Sequence, residues 1–334
     1  MPLSELNKPF SPGEIWEARK RLKPYIYSTP LLFSTGLSQI TGCEIYLKME
    51  CWQLCGCFKV RGAINMVASL SEGERRRELV TCSSGNHGAA VSFATNLFRG
   101  AKAIVFVPRK AEKSKLAKIK SYGAEIIPYG QDFLMTLDRA LEYAEEGGGI
   151  FIHSHGHPLI IAGQGTIGLE ILEDIPDVEV VVVPIGGGGL ISGILTALKS
   201  ANEKIRVFGV ESSAAPGAQM SYRDGYCHER IQIGASIADG LMGTLTPLTF
   251  ELTHKRVEKV VAVNDDQIVQ AMRLFQEEEQ LTVEPSAAVS LAAIISGEID
   301  IRNKKTVLVV TGRNISWERY QSLLTDGISP KQEE

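Results

Sequence analysis

Short runs of apolar, mostly β-branched residues recur along the chain, each followed by a longer stretch with apolar positions three and four apart. Runs of the first kind suit strands buried on both faces; stretches of the second suit helices that bury one stripe. The pattern predicts strands over 44–49, 79–82, 103–107, 125–128, 149–152, 178–183, 206–210, 257–263 and 306–310. It predicts helices over 63–70, 87–98, 111–122, 132–145, 165–173, 190–200, 265–279 and 286–295. Strands alternating with helices build an α/β fold of mostly parallel sheet with helices on both faces, and these strands suffice for two such sheets. No fixed-period repeat and no Gly/Ser-rich or Pro-rich linker divides the chain, so two domains would be interleaved rather than strung out. The polar tail 329–334 is expected to fray.

Composition narrows the function. Thirty-five Lys and Arg stand against 39 Asp and Glu, a net charge of −4, which argues against nucleic-acid binding. At 44% hydrophobic and 22% charged residues, the 334-residue chain has material for a sizeable core and is not disordered in bulk. Residues 180–198 carry no charge, but Pro184 and the glycines from Gly186 to Gly189 break the stretch. Such a backbone would leave polar groups unsatisfied in lipid, so no membrane span is expected. The N-terminus lacks the basic and apolar regions of a secretory signal, so the protein is expected in the cytoplasm with its six cysteines reduced. Cys51, Cys55 and Cys57 lie close together without forming C-x-x-C, and no second cluster completes a zinc site. They read as small buried side chains.

Five segments could carry chemistry. In Val180-Val-Val-Val-Pro-Ile-Gly-Gly-Gly-Gly-Leu, a buried strand runs through four glycines into a helix. Glycine backbone approaches an anion closely, and a helix N-terminus offers free N–H groups, so this reads as a phosphate cradle. It matches neither the Walker A loop nor G-x-G-x-x-G, which favours a smaller phosphorylated ligand over a nucleotide. Thr81-Cys-Ser-Ser-Gly-Asn-His-Gly is a second strand-to-helix turn. Its serines and Asn86 could hold a carboxylate or phosphate, or simply cap the helix. In Cys55-Gly-Cys-Phe-Lys-Val-Arg-Gly, Lys59 sits in apolar company. If buried, its pKa falls and a Schiff base becomes accessible; the side chain could equally snorkel outward. His153, His155 and His157 would share one face of a strand, as metal ligands do, but Gly156 and Pro158 disfavour a strand there and no acid lies nearby. Val310-Thr-Gly-Arg-Asn ends a strand with a hydroxyl and a tight turn, and alone is uninformative.

Taken together and in order, CGCFKVRGA around Lys59, SSGNHG, IAGQGTIGLEI at 161–171, GGGGL at 186–190, IADGL at 237–241 and EPSAA at 284–288 resemble the serine/threonine dehydratase and serine racemase family. The resemblance runs from about residue 27 to residue 314. It implies a pyridoxal 5'-phosphate enzyme of fold type II, tryptophan synthase β-like. A discontinuous cofactor domain would comprise 1–72 and 158–330, and a small mobile domain 73–157. The resemblance assigns Lys59 the Schiff base, places Phe58 beside the cofactor ring, and gives its 3-hydroxyl to Asn86. Gly186, Gly187, Gly188, Gly189 and Leu190 would hold the phosphate, and Thr311 would face the pyridine nitrogen. Ser83, Ser84, Asn86 and His87 would grip the substrate. The implied activity is dehydration of a small β-hydroxy amino acid, threonine or serine, by a homodimer. The resemblance to the racemases would also make Ser84 the second acid/base, unless it only caps the helix or contacts the substrate carboxylate, and elimination is expected to dominate.

Several positions depart from the family pattern. Cys55 and Cys57 replace the usual Thr and Ser, and Arg313 replaces a small residue beside Thr311. These substitutions leave open a silent phosphate-ligand binder with the same fold. Glu211 and Ala215 match the racemases' cation site, but Gly217 replaces its Asp, so no metal site is expected. Gly156-His157-Pro158-Leu159 replaces an acid-proline pair, with consequences for specificity. With no regulatory domain after residue 330, feedback by isoleucine is not expected.

Overall fold

The computed structural model describes residues 10–325, so the polar tail and the extreme N-terminus lie outside the described residues. Its strands are β1 (Leu31–Phe33), β2 (Glu44–Lys48), β3 (Glu78–Cys82), β4 (Lys102–Val107), β5 (Glu125–Pro128), β6 (Ile150–Phe151), β7 (Val180–Pro184), β8 (Arg206–Ser212), β9 (Lys259–Val263) and β10 (Lys305–Val309). They form a six-stranded sheet ordered β1-β2-β10-β7-β8-β9 and a four-stranded sheet ordered β5-β4-β3-β6. Every pairing is parallel except that of β1 with β2. Each predicted strand appears within a residue or two. The edge strand β1 was not predicted, because three residues between Pro30 and Ser34 are too few to show a period.

The helix Pro12–Leu22 was also not predicted, although its signals are present. Ile15, Ala18 and Leu22 form a buried stripe, Pro12 opens the helix, and Ser11 with Glu14 closes a capping box. Among the described residues no helix is long and apolar enough to cross a membrane.

The helices Lys59–Ser69, Pro158–Asp174 and Gly189–Ala201 pack side by side, with bare backbone at the contacts. A Cβ on Gly163 would lie 2.6 Å from the Gly62 Cα, and one on Gly193 would lie 2.5 Å from the Gly165 amide nitrogen. Only glycine permits approach this close. The central helix thereby seats two others whose N-termini begin at Lys59 and Gly189. Val60, Ile64 and Val67, on the other side of the first helix, pack with Leu79, Ala90 and Ile152 of the four-stranded lobe.

Arg61, two residues past Lys59, is completely buried between two carboxylates. It bonds Glu50 through Nε and Nη2 at 2.8 Å each, and Glu170 at 2.6 and 2.9 Å. Lys48 joins Glu170 at 2.8 Å. Burial works against the Glu170 charge, but Arg61 and Lys48 overcome it and hold the carboxyl below its ordinary range. Removing the guanidinium would strand buried negative charge. Arg61→Met is therefore expected to cost about 3–5 kcal/mol of unfolding free energy, measured by urea titration; a loss under about 1 kcal/mol would contradict this account.

Candidate active site

Three strand-to-helix connections meet at the C-terminal ends of both sheets, the usual place for ligands in parallel α/β folds. The first follows β7, whose five residues are all buried. Gly188 turns the chain at φ +82°, and the helix starts at Gly189. The amides of Gly186 through Leu190 donate to no described residue. They form a row of free N–H groups at a helix N-terminus, which is an anion site.

The second connection places Lys59 at the first turn of its helix. The lysine is half-buried, and its Nζ donates to the Ser154 carbonyl at 3.0 Å and stands 5.2 Å from the Phe58 ring centre. Burial pulls its pKa down to about 8, although Cys57 and Glu284 oppose the shift. The next residue, His155, lays its ring on Gly187, where a Cβ would come within 2.2 Å of it. Lysine and glycine loop are thus joined through two adjacent residues.

The third connection leaves β3 through Ser83, Ser84 and Gly85 into the helix Asn86–Asn96. Ser83 accepts from the Gly85 amide at 3.2 Å, while the half-buried Ser84 hydroxyl bonds no described residue. Asn86 donates through Nδ2 to Glu284 Oε1 and Oε2 at 2.8 and 3.0 Å, and accepts from Asn314 Nδ2 at 2.6 Å. The buried His87 ring bonds the Ile152 carbonyl at 3.1 Å, and burial, then Lys59, pushes its pKa down to about 3. Thr311 is buried beside these groups, its carbonyl accepting from the Phe58 amide at 3.1 Å.

The departures take definite positions. Arg313 is solvent-exposed. The Cys57 thiol is fully buried, and the residue bridges to Gly312. Cys55 has a left-handed backbone, φ +61° and ψ +5°, which costs a side-chain-bearing residue about 1–2 kcal/mol. The His153 and His155 rings meet edge to face with centres 4.6 Å apart, but the three histidines do not share one face. The strand stops at Phe151, after which His153 Nδ1 accepts backbone amides, His155 Nδ1 meets Ser154, and His157 caps the helix Pro158–Asp174. Among the described residues, no three His, Cys, Asp or Glu side chains are grouped to hold a metal. Glu211 accepts from the amides of Ala218 and Gln219 at 2.9 Å each, at the start of the helix Gly217–Asp224.

Sequence reasoning gave Glu284 and Asn314 no role. Glu284 is buried and also accepts from the Asn314 amide at 3.1 Å. Burial raises its pKa to about 7 against the opposing bond from Asn86. The signals present were the EPSAA motif that Glu284 opens and the setting of this acid between Val283 and Pro285 in an apolar stretch.

A lysine whose pKa is lowered towards neutral pH, joined through Ser154 and His155 to unclaimed amides at a helix N-terminus, suits an enzyme that handles a phosphorylated carbonyl compound. Residues 22–312 match the family described as pyridoxal-phosphate dependent enzyme, and the chain belongs to that family. It is 43% identical to the L-threonine ammonia-lyase of Thermotoga maritima, over 94% of this chain and 78% of that one. It is 40% identical to the catabolic L-threonine dehydratase TdcB of Escherichia coli K12, over 94% and 96%. The solved maize serine racemase superposes with a TM-score of 0.88 at 35% identity, covering 96% and 98%. The residues present fit the cofactor. The free amides suit a phosphate, and Lys59 is a ready nucleophile.

Only the uncharged amine can attack an aldehyde, and with a pKa of about 8 roughly a tenth of Lys59 is uncharged at pH 7. Capture of pyridoxal phosphate by the apoenzyme is expected to accelerate about tenfold per pH unit below 7.5 and level off above about 8.5. A stopped-flow profile still rising at pH 10 would show an ordinary exposed lysine.

Proposed function

We propose that the chain is an ammonia-lyase that converts a small β-hydroxy amino acid, threonine or serine, to a 2-oxo acid and ammonia. The observation that carries this reading is the inward-turned Lys59 beside the free amides of Gly186 to Leu190, in a chain similar along most of its length to L-threonine ammonia-lyase.

Gly186 to Gly189 and Leu190 would hold the phosphate, Phe58 would flank the ring, and Asn86 would bond the 3-hydroxyl in exchange for one of its bonds to Glu284. Bound pyridoxal phosphate supplies an electron sink for the pair left at the substrate α-carbon. Thr311 would offer the pyridine nitrogen a neutral hydroxyl, which, unlike a carboxylate, does not keep it protonated. Lys59 Nζ would take the α-proton. The protonated Lys59 would return that proton to the departing β-hydroxyl, which would leave as water, and the released enamine would tautomerise to an imine, add water and lose ammonia. Ser83, Ser84 and the first turn at Asn86 and His87 would orient the substrate carboxylate. Residues 73–157, which contain the whole four-stranded sheet, would act as a mobile lobe closing over the substrate to exclude water. Support for a homodimer comes from Tyr27, Leu32, Phe33 and Trp52, exposed along the edge strand β1 and its neighbouring segments. The six free cysteines fit a cytoplasmic setting.

Ser84 supports a second reading, racemisation, because its hydroxyl is unengaged and half-buried. Lys59 serves one face of a planar carbanion, and a second acid/base must serve the other.

The purified enzyme is expected to absorb at about 410–420 nm, to shift on addition of serine or threonine, and to form 2-oxo acid. Lys59→Ala should abolish both the band and turnover. A protein that stays colourless with added pyridoxal phosphate would overturn the reading. Ser84→Ala should remove any D-serine formation while retaining dehydration of L-serine. D-serine production that survives the change would exclude Ser84 as the second acid/base.

A further inference from the structure

Cys55 is a side-chain-bearing residue in the left-handed region, followed by Gly56 at φ +69°, and the chain reaches Lys59 four residues after it. Something must hold this disfavoured geometry. Two donors converge on the Cys55 carbonyl: Lys118 Nζ at 2.8 Å and Asn314 Nδ2 at 2.9 Å. Lys118 also donates to Asn314 Oδ1. Tyr122, just beyond the same helix, packs in the same apolar cluster as Cys55.

Lys118 belongs to the other lobe. Its helix, Lys113–Ser121, is anchored by Ile119 among Ala89, Val105 and Val107 of the four-stranded sheet. One turn earlier, Lys115 pairs with Asp239 of the six-stranded lobe. Lys118 differs from Lys115 in having no carboxylate partner among the described residues. A half-buried ammonium that meets only a carbonyl and an amide oxygen is placed for those oxygens, not for an ion pair.

We propose that Lys118 is a positioning residue for Lys59. By holding the Cys55 carbonyl from the opposite lobe, it keeps the lysine loop in register only while the two lobes are together. Lobe closure and alignment of the reactive amine become one event. This rests on Lys59 being the cofactor lysine, as proposed above.

The test measures how fast the full-length apoenzyme captures pyridoxal phosphate on Lys59, followed by absorbance, together with kcat and KM. Lys118→Met is expected to slow capture and lower kcat by about tenfold each, with KM changing less than threefold, roughly. Lys118→Arg, which still donates, should recover most of both. Cys55→Gly adopts the left-handed backbone unaided, so Cys55→Gly with Lys118→Met should return to within about threefold of Cys55→Gly alone. Lys115→Met breaks the neighbouring contact between the lobes and should gain nothing from Cys55→Gly. Capture by Lys118→Met at the wild-type rate, absence of rescue in a folded double variant, or equal rescue of Lys115→Met would each overturn the proposal. Wild-type enzyme that captures no cofactor on Lys59 would instead sink the functional reading, and this proposal with it.

Discussion

The guanidinium of Arg61 is the interaction on which the rest of the site depends. It is fully buried, forked onto Glu50 on one side and Glu170 on the other, and covalently two residues from Lys59. Those carboxylates come from the turn before the lysine loop and from the central helix. A planar fork that satisfies both fixes the azimuth of the lysine helix as well as its height. An apolar residue of similar volume could fill the same space, but it would leave the Glu50 charge unpaired and Glu170 with Lys48 alone, and would leave that rotation to packing.

Around this fixed point the two lobes meet in different ways on different sides. Behind Lys59 the contact is apolar and continuous, through Val60, Ile64, Leu79, Ala90 and Ile152. In front it is polar and sparse: Asn86 with Glu284 and Asn314, Lys115 with Asp239, and Lys118 with Cys55. Apolar contact resists separation and tolerates small rotations, whereas discrete hydrogen bonds exchange readily with water. In the reading proposed above, the mobile lobe would turn on the apolar side and fasten on the polar one.

What the sequence reveals and what it hides follow from how local each feature is. The strand, four glycines and helix of residues 180–201 are contiguous, so the anion site can be read before any folding is known. Lys59 stands out for its apolar neighbours, yet its inward orientation depends on Ser154, ninety-five positions away. Glu284 and Asn314 form one polar cluster with Asn86 from three distant segments, and no pattern within any one of them reveals it. The alternation of His153, His155 and His157 suggests a strand face, but β6 ends at Phe151 and the imidazoles turn to separate partners. Arg313, adjacent in sequence to the buried Thr311-Gly312 pair, is exposed to solvent, a placement that its position in the sequence does not decide.

The glycine contacts at Gly62–Gly163 and Gly165–Gly193 have a metrological consequence. Where helices meet through leucines or methionines, a rotamer change can shift one relative to the other by an ångström at little cost. Here the lysine helix and the glycine-loop helix are both registered on a third through main-chain atoms, which have no rotamers. The distance from the Lys59 backbone to the anion site is therefore set by main-chain packing and is insensitive to repacking of side chains between the helices. A ligand whose aldehyde and phosphate are separated by one bond more or fewer would have to be accommodated by the Lys59 stem alone.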